Sequence, residues 1–136
     1  MAVGYSGTPL ARKLSLKPGM RVWFHAMPAS VEAEIDPDTL GLRQQAAASA
    51  GLDAAHIFVT ARAELAREVT ALRQLIAPAG FVWVSWPKKA AKVPTDITED
   101  TIREVALPIG LVDVKVCAVD DIWSGLKLMI RKELRP

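Results

Sequence analysis

The chain has 136 residues, close to the commonest size of one domain and too short for two ordinary ones. Hydrophobic residues make up 51% and charged residues 24%, so a real core can form and disorder is excluded. Seventeen basic against fifteen acidic residues leave a formal charge of +2, too small to indicate nucleic acid by itself.

Gly4-Tyr5-Ser6-Gly7 reads as a loop, and Thr8-Pro9 as a helix start, with a threonine cap and proline at the first helical position. That helix runs through Leu10, Ala11 and Leu14. Pro18-Gly19 turns the chain, and Met20 to His25 reads as a strand. Ser30 to Ile35 suits a short helix. Leu40 to Ala50 reads two ways, because its alanines favour a helix whereas an α/β sheet wants a strand near Leu40 to Gln45. His56 to Thr60 is a short β-branched and aromatic strand. Leu65, Val69, Leu72 and Ile76 then mark one apolar helix face, with Arg67, Glu68, Thr70, Arg73 and Gln74 opposite. Pro78-Ala79-Gly80 is expected to end that helix.

Phe81 to Trp86 is apolar on both faces apart from Ser85, the pattern of a central parallel strand covered by helices on both sides. After a polar loop from Pro87 to Ile97, Thr98 caps a helix whose first turn carries Glu99 and Asp100 at the positive end of its dipole. Ile102, Val105 and Ala106 form its buried side, and Pro108 and Gly110 stop it. Val112 to Val119 and Leu126 to Arg131 are strands joined by a hairpin loop from Asp120 to Gly125. The single cysteine, Cys117, falls inside the first of these strands, where a thiol acts as a small hydrophobe. It permits neither an internal disulfide nor a cysteine metal cage. The N-terminus has no apolar signal core, and no apolar run approaches the ~18 residues of a membrane span. A cytoplasmic location with no membrane partner is the resulting expectation.

This order of elements predicts an α/β fold, a single Rossmann-like domain over residues 1–136. Its form is a three-layer sandwich on a mostly parallel sheet of about six strands with a C-terminal antiparallel hairpin. The second half, from Leu75-Ile76-Ala77-Pro78-Ala79-Gly80-Phe81-Val82-Trp83-Val84 through the helix at Thr98 to Gly110-Leu111-Val112 and the hairpin, resembles the end of S-adenosylmethionine-dependent methyltransferases. Leu16-Lys17-Pro18-Gly19-Met20-Arg21-Val22 is similar to the lead-in to their first strand. In that family the strand ends in an acidic residue and a glycine-rich turn, where a Cβ would block close approach of the cofactor to the backbone. Here the strand runs into His25-Ala26-Met27-Pro28-Ala29-Ser30-Val31, with no glycine between Gly19 and Gly41. The stretch between Val22 and His56 is also too short for all the usual strand–helix units, so one is expected to be missing. The resemblance therefore implies a degenerate methyltransferase-like fold. The words Gly4-Tyr5-Ser6-Gly7-Thr8-Pro9-Leu10, Trp86-Pro87-Lys88-Lys89, Thr95-Asp96 and Trp123-Ser124-Gly125-Leu126-Lys127 resemble those of a small bacterial domain family of unknown function. That likeness implies a bacterial origin and no activity.

Ligands of open α/β sheets bind outside the carboxyl ends of the strands. This selects His25 after the first strand, Thr60 and Arg62 after the middle strand, Trp86, Lys88 and Lys89 after the central strand, and Asp120 and Asp121 after the next. His56, read at the start of its strand, belongs to the opposite edge. The lysine pair beside an aromatic face suits a phosphate or carboxylate carried on a flat ring. Gly4 to Thr8 offers backbone amides to an anion, without the lysine spacing of a nucleotide-triphosphate loop. Asp120, Asp121 and Lys127 also have a structural reading, as pins of the hairpin. Two separated histidines and one strand cysteine make no zinc site, and no serine sits in a nucleophile elbow. No catalytic residue, metal or cofactor is assigned, and the balance leans against an enzyme.

Three functional readings follow, in order. The first is a non-catalytic binding or interaction module whose partner is a protein or a small anion. The second is a binder of a phosphate-bearing ligand, with weaker support for nucleic acid, through Lys88 and Lys89. The third is an S-adenosylmethionine-dependent methyltransferase with an atypical cofactor loop around His25 to Val31.

Overall fold

A computed structural model describes residues 9–136. The proposed cap at Thr8 and the anion-binding arm at Gly4 to Thr8 lie outside the described residues. The elements are α1 (Leu10–Lys13), β1 (Arg21–His25), α2 (Ala29–Ile35), α3 (Pro37–Leu40), β2 (Arg43–Gln44), β3 (Leu52–Phe58), α4 (Arg62–Leu75), β4 (Ile76–Pro87), α5 (Glu99–Ala106), β5 (Leu111–Ala118) and β6 (Trp123–Ile130). The six strands form one sheet in the order β2-β1-β3-β4-β6-β5. Strands β2, β1, β3 and β4 are parallel, and β6 runs antiparallel to both β4 and β5.

Alternating side chains of the strands feed two cores. Ala55, Ile57 and Val59 around β3, Val82, Val84 and Trp86 of β4, and Leu126, Leu128 and Ile130 of β6 pack against Leu65, Val69 and Leu72 of α4 and Ile102 of α5. The intervening residues Ala54, Phe58, Phe81 and Trp83 pack on the other face, against Leu10 and Leu14 from α1 and its end, and Val31 and Ile35 of α2. The central strands are thus apolar on both sides because helices cover both sides. The buried Trp83 indole ties the thinner layer down, donating to the Leu14 carbonyl at 2.9 Å.

The ambiguous stretch after Leu40 divides. One helical turn, α3, ends at Gly41 with φ 83, a left-handed turn suited to glycine. The chain then lies beside β1 for two residues, Arg21 opposite Arg43 and Val22 opposite Gln44. Residues 45–51 return to β3 with no helix, despite their alanines. The Arg21 guanidinium, donating to Ala50 O at 2.8 Å, Ser49 Oγ at 3.1 Å and Gln45 Oε1 at 3.3 Å, holds this path. One strand–helix unit is therefore absent between β1 and β3, as the residue count predicts.

Four sequence expectations need correction. Helix α4 stops at Leu75 rather than at Pro78, and residues 77–80 form an irregular part of β4 where pairing with β3 jumps from Leu52–Ile76 to Ala54–Phe81. A Cβ at Gly80 would lie 2.9 Å from Leu52 O and 3.0 Å from Ala77 O, so this close passage requires glycine. The β5–β6 turn is tighter than six residues because Asp120 Oδ1 accepts from both Ile122 N and Trp123 N at 2.8 Å. Lys127 makes no ion pair with Asp120 or Asp121. It stands on the α1 face, donating to Ser15 Oγ at 3.0 Å.

His56 is in the interior of β3, not at its start. Its Nε2 and Ser85 Oγ share a 2.7 Å hydrogen bond, its ring stacks on Phe58 at 4.4 Å, and its Nδ1 has no partner among the described residues. Burial lowers its pKa to about 3, so the ring is neutral. No described helix is long and apolar enough to cross a membrane.

Candidate functional site at the carboxyl edge

The crossover from β1 carries α2 to one face of the sheet, and the crossover from adjacent β3 carries α4 to the other. The crevice between the carboxyl ends of β1 and β3 is therefore the topological switch point, where open α/β sheets take ligands. His25 ends β1 there, and its Nε2 donates to Glu64 Oε2 in the first turn of α4 at 2.9 Å. Trp23, two residues earlier on the same face, has its ring 5.6 Å from that of His25. The next residue, Ala26, is exposed and left-handed, with φ 55. Pro28 then leads into α2 with no side-chain cap.

Thr60 and Arg62 lie on the turn from β3 into α4, and both are engaged by the loop after β4. Thr60 O accepts from Thr95 Oγ1 at 2.7 Å and from Asp96 N at 3.3 Å. Asp96 Oδ1 accepts from Arg62 N at 2.7 Å, giving the first turn of α4 the carboxylate that its own N-cap, Ala61, lacks. The Arg62 side chain reaches α5 and pairs with Glu104 at 2.5 Å.

Trp86 is only 7% exposed and belongs to the core under α4 and α5, so its ring is not a platform for a ligand beside the lysines. Lys88 is half-buried and Lys89 exposed, and the Lys88 amide donates to Ile122 O at 2.7 Å. That bond brings the lysines beside the β5–β6 turn. Asp120 is committed to that turn through its carboxylate, and Asp121 is exposed. Because β5 runs parallel to β4, the sheet gathers all the candidates along one edge, but in separate groups. His25 and Glu64 form one, Thr60, Arg62 and Asp96 the next, and Lys88, Lys89 and the Asp120–Asp121 turn the last.

Glu64, Asp96 and Ala26 are not among the candidate site residues that the sequence points to. An acid in a first helical turn reads as dipole compensation, and Asp96 reads as a loop residue. The stress on Ala26 exists only in the backbone dihedral. Among the described residues, no three His, Cys, Asp or Glu side chains gather as metal ligands.

Neither a family model nor a curated protein sequence matches the chain. Solved structures do. A SAM-dependent methyltransferase from Aquifex aeolicus superposes with a TM-score of 0.61 at 16% identity, covering 89% of each chain. A ribosomal protein L11 methylase from Lactobacillus delbrueckii subsp. bulgaricus gives 0.58 at 10% identity, covering 90% of this chain and 75% of that one. Aeropyrum pernix fibrillarin with natively bound S-adenosyl-L-methionine gives 0.55 at 11% identity, covering 93% and 70%. The fold is that of the Rossmann-like methyltransferases. The word-level likeness to a small bacterial family rests on the sequence words alone.

Proposed function

We propose that the chain is a methyltransferase-type domain that takes an S-adenosyl ligand in the crevice between the carboxyl ends of β1 and β3. Ala26 carries the reading: it is an exposed non-glycine residue at φ 55 at the switch point. A left-handed conformation costs an L-residue roughly 1–2 kcal/mol, and such strain concentrates where a ligand demands a particular backbone path. Alanine adds the smallest side chain that is not hydrogen, so the turn keeps the path of a glycine turn with little bulk. Glu64 supplies a carboxylate for a cationic or hydrogen-donating group of the ligand, and His25 fixes its orientation. When bound, an S-adenosyl ligand supplies an activated methyl group; the chain's own residues bind and orient.

Pro28 favours a second reading, the non-catalytic binding or interaction module. It offers no N–H at the turn where the family uses a glycine-rich backbone, and no glycine stands between Gly19 and Gly41. A thermal-shift and calorimetric titration with S-adenosylhomocysteine separates the two. At ~100 times its dissociation constant the ligand adds roughly 2.7 kcal/mol, a rise of several degrees in Tm. That rise, clearly smaller in Glu64→Ala, is the expected result. No shift at millimolar ligand overturns the S-adenosyl reading in favour of the module.

A further inference from the structure

A different charged region lies on the α1 face of the sheet, where α1 meets the β5–β6 hairpin. Basic residues far apart in sequence converge there. Lys13 Nζ donates to Ala118 O, Lys115 Nζ to Lys13 O, and Lys127 Nζ to Ser15 Oγ, each at 3.0 Å. Lys127 Nζ also stands 4.3 Å from the centroid of the Phe81 ring. Arg12, Ser15 and Lys17 line one depression beside α1 together with Leu16 and Leu40.

Among the described residues, no carboxylate lies within ion-pair distance of these cations. None of Arg12, Lys13, Lys17, Lys115 and Lys127 forms an ion pair among the described residues. Residues 1–8 contain no acidic side chain that could supply one. Burial pushes the Lys127 ammonium below its ordinary range, and the charges of Lys115 and Lys17 push the same way. The Cys117 thiol is raised by burial, with Lys13 and Lys115 opposing. These lysines therefore share one electrostatic neighbourhood. Gathering like charges without a counter-charge is unfavourable, and an anion placed among them reverses the sign. Each ammonium has three donors and spends one on the protein, so two remain on each of Lys13, Lys115 and Lys127.

We propose that Lys115, Lys127 and Ser15, with Lys17 and Arg12 at the rim, form a binding site for a phosphate group. A phosphate's several acceptor oxygens and high charge suit point-like ammonium donors arriving from different elements. The site is separate from the β1/β3 crevice and does not depend on the S-adenosyl reading. It also differs from Lys88 and Lys89, which stand at the carboxyl edge. The phosphate belongs either to a small phosphorylated compound or to a nucleic-acid backbone.

The test is a titration of the 15N-labelled chain with pyrophosphate and, separately, with a short single-stranded RNA. Saturable shifts at the amides of Lys13, Ser15, Lys115 and Lys127 are expected with one or both. Pyrophosphate alone identifies a small ligand. RNA binding whose logarithmic affinity falls steeply with salt identifies a backbone, because phosphate contacts release counterions. Lys115→Gln with Lys127→Met, which keeps an apolar stem over Phe81, weakens binding about tenfold or more, as expected for charged hydrogen bonds. Lys17→Gln, at an exposed position, weakens binding severalfold at unchanged Tm, whereas Lys88→Gln with Lys89→Gln leaves it unaltered. The absence of saturable shifts with both probes overturns the proposal. So do shifts centred on residues 88–92, or full affinity in the Lys115/Lys127 variant.

Discussion

His25 and Glu64, 39 residues apart in the chain, meet at 2.9 Å across the point where the sheet's connections change face. The last residue of β1 is thereby tied to the first turn of the helix that follows β3. Both side chains keep part of their surface in solvent, 25% and 30%. Partly exposed polar pairs of this kind contribute about 1 kcal/mol or less to stability. Glu64→Ala is accordingly expected to lower Tm by no more than a few degrees. Its effect on S-adenosylhomocysteine affinity is expected to be larger, tenfold or more, because the ligand loses a charged hydrogen-bond acceptor. Calorimetry on the variant checks this; equal affinity removes Glu64 from the site.

Ala26 is the position where stability and the proposed function are most directly linked. Ala26→Gly removes a left-handed strain of roughly 1–2 kcal/mol and adds about 0.4–1 kcal/mol of unfolded-state entropy. The net expectation is unchanged or higher stability, by up to about 1.6 kcal/mol, read by urea denaturation. Under the S-adenosyl reading the same change also tightens ligand binding, since it clears the turn. Ala26→Val lowers stability, because a β-branched residue tolerates positive φ poorly.

The stability of the fold should depend on pH through His56. Its pKa falls from 6.5 to about 3 on burial. Between those values the unfolded chain binds a proton that the folded chain refuses. The contribution is therefore fully present above about pH 6.5 and is lost as pH falls toward 3, at up to about 1.4 kcal/mol per pH unit. His56→Phe is expected to flatten this part of the profile. At pH 8 it costs about 1–3 kcal/mol, because the buried Ser85 hydroxyl loses its partner. Denaturation curves of both proteins from pH 4 to 8 measure the difference.

Gly80 offers the sharpest steric prediction. Its missing Cβ would meet three backbone carbonyls, Leu52 O at 2.9 Å, Ala77 O at 3.0 Å and Asp53 O at 3.1 Å. Backbone cannot swing aside as a side-chain tip does, so Gly80→Ala is expected to cost about 1–3 kcal/mol. The loss should be accompanied by faster amide exchange at the β3–β4 pairing near Leu52. Wild-type stability in the variant would mean that residues 77–80 can relax freely.

Much of the fold was legible because it rests on local patterns. The repeat of Leu65, Val69 and Leu72 marks α4, and all three are buried. Thr98 caps α5 as its sequence suggests, in a reciprocal arrangement with Thr101. The two-sided apolar run Phe81 to Trp86 lies in the middle of the sheet. The site was less legible because side-chain fate depends on neighbours distant in sequence. Trp86 has the same residue type as a ligand platform but packs inward. Lys127 reads as a partner of the hairpin aspartates, yet points to the α1 face because the β6 alternation puts it beside Met129 and opposite Leu126 and Leu128.

The sequence by itself determined the α/β class, the covered central strands, the missing strand–helix unit and the carboxyl edge as the place to look. Those follow from periodicity, turn chemistry and chain length, which act over a few residues. Only the tertiary structure decided that His25 meets Glu64, that Asp96 caps α4, that Ala26 is left-handed and that five basic residues from α1, the loop after it and the hairpin share one face. Each of these is a contact or a dihedral imposed by packing the helices and loops on the open sheet, and that packing is a property of the whole chain.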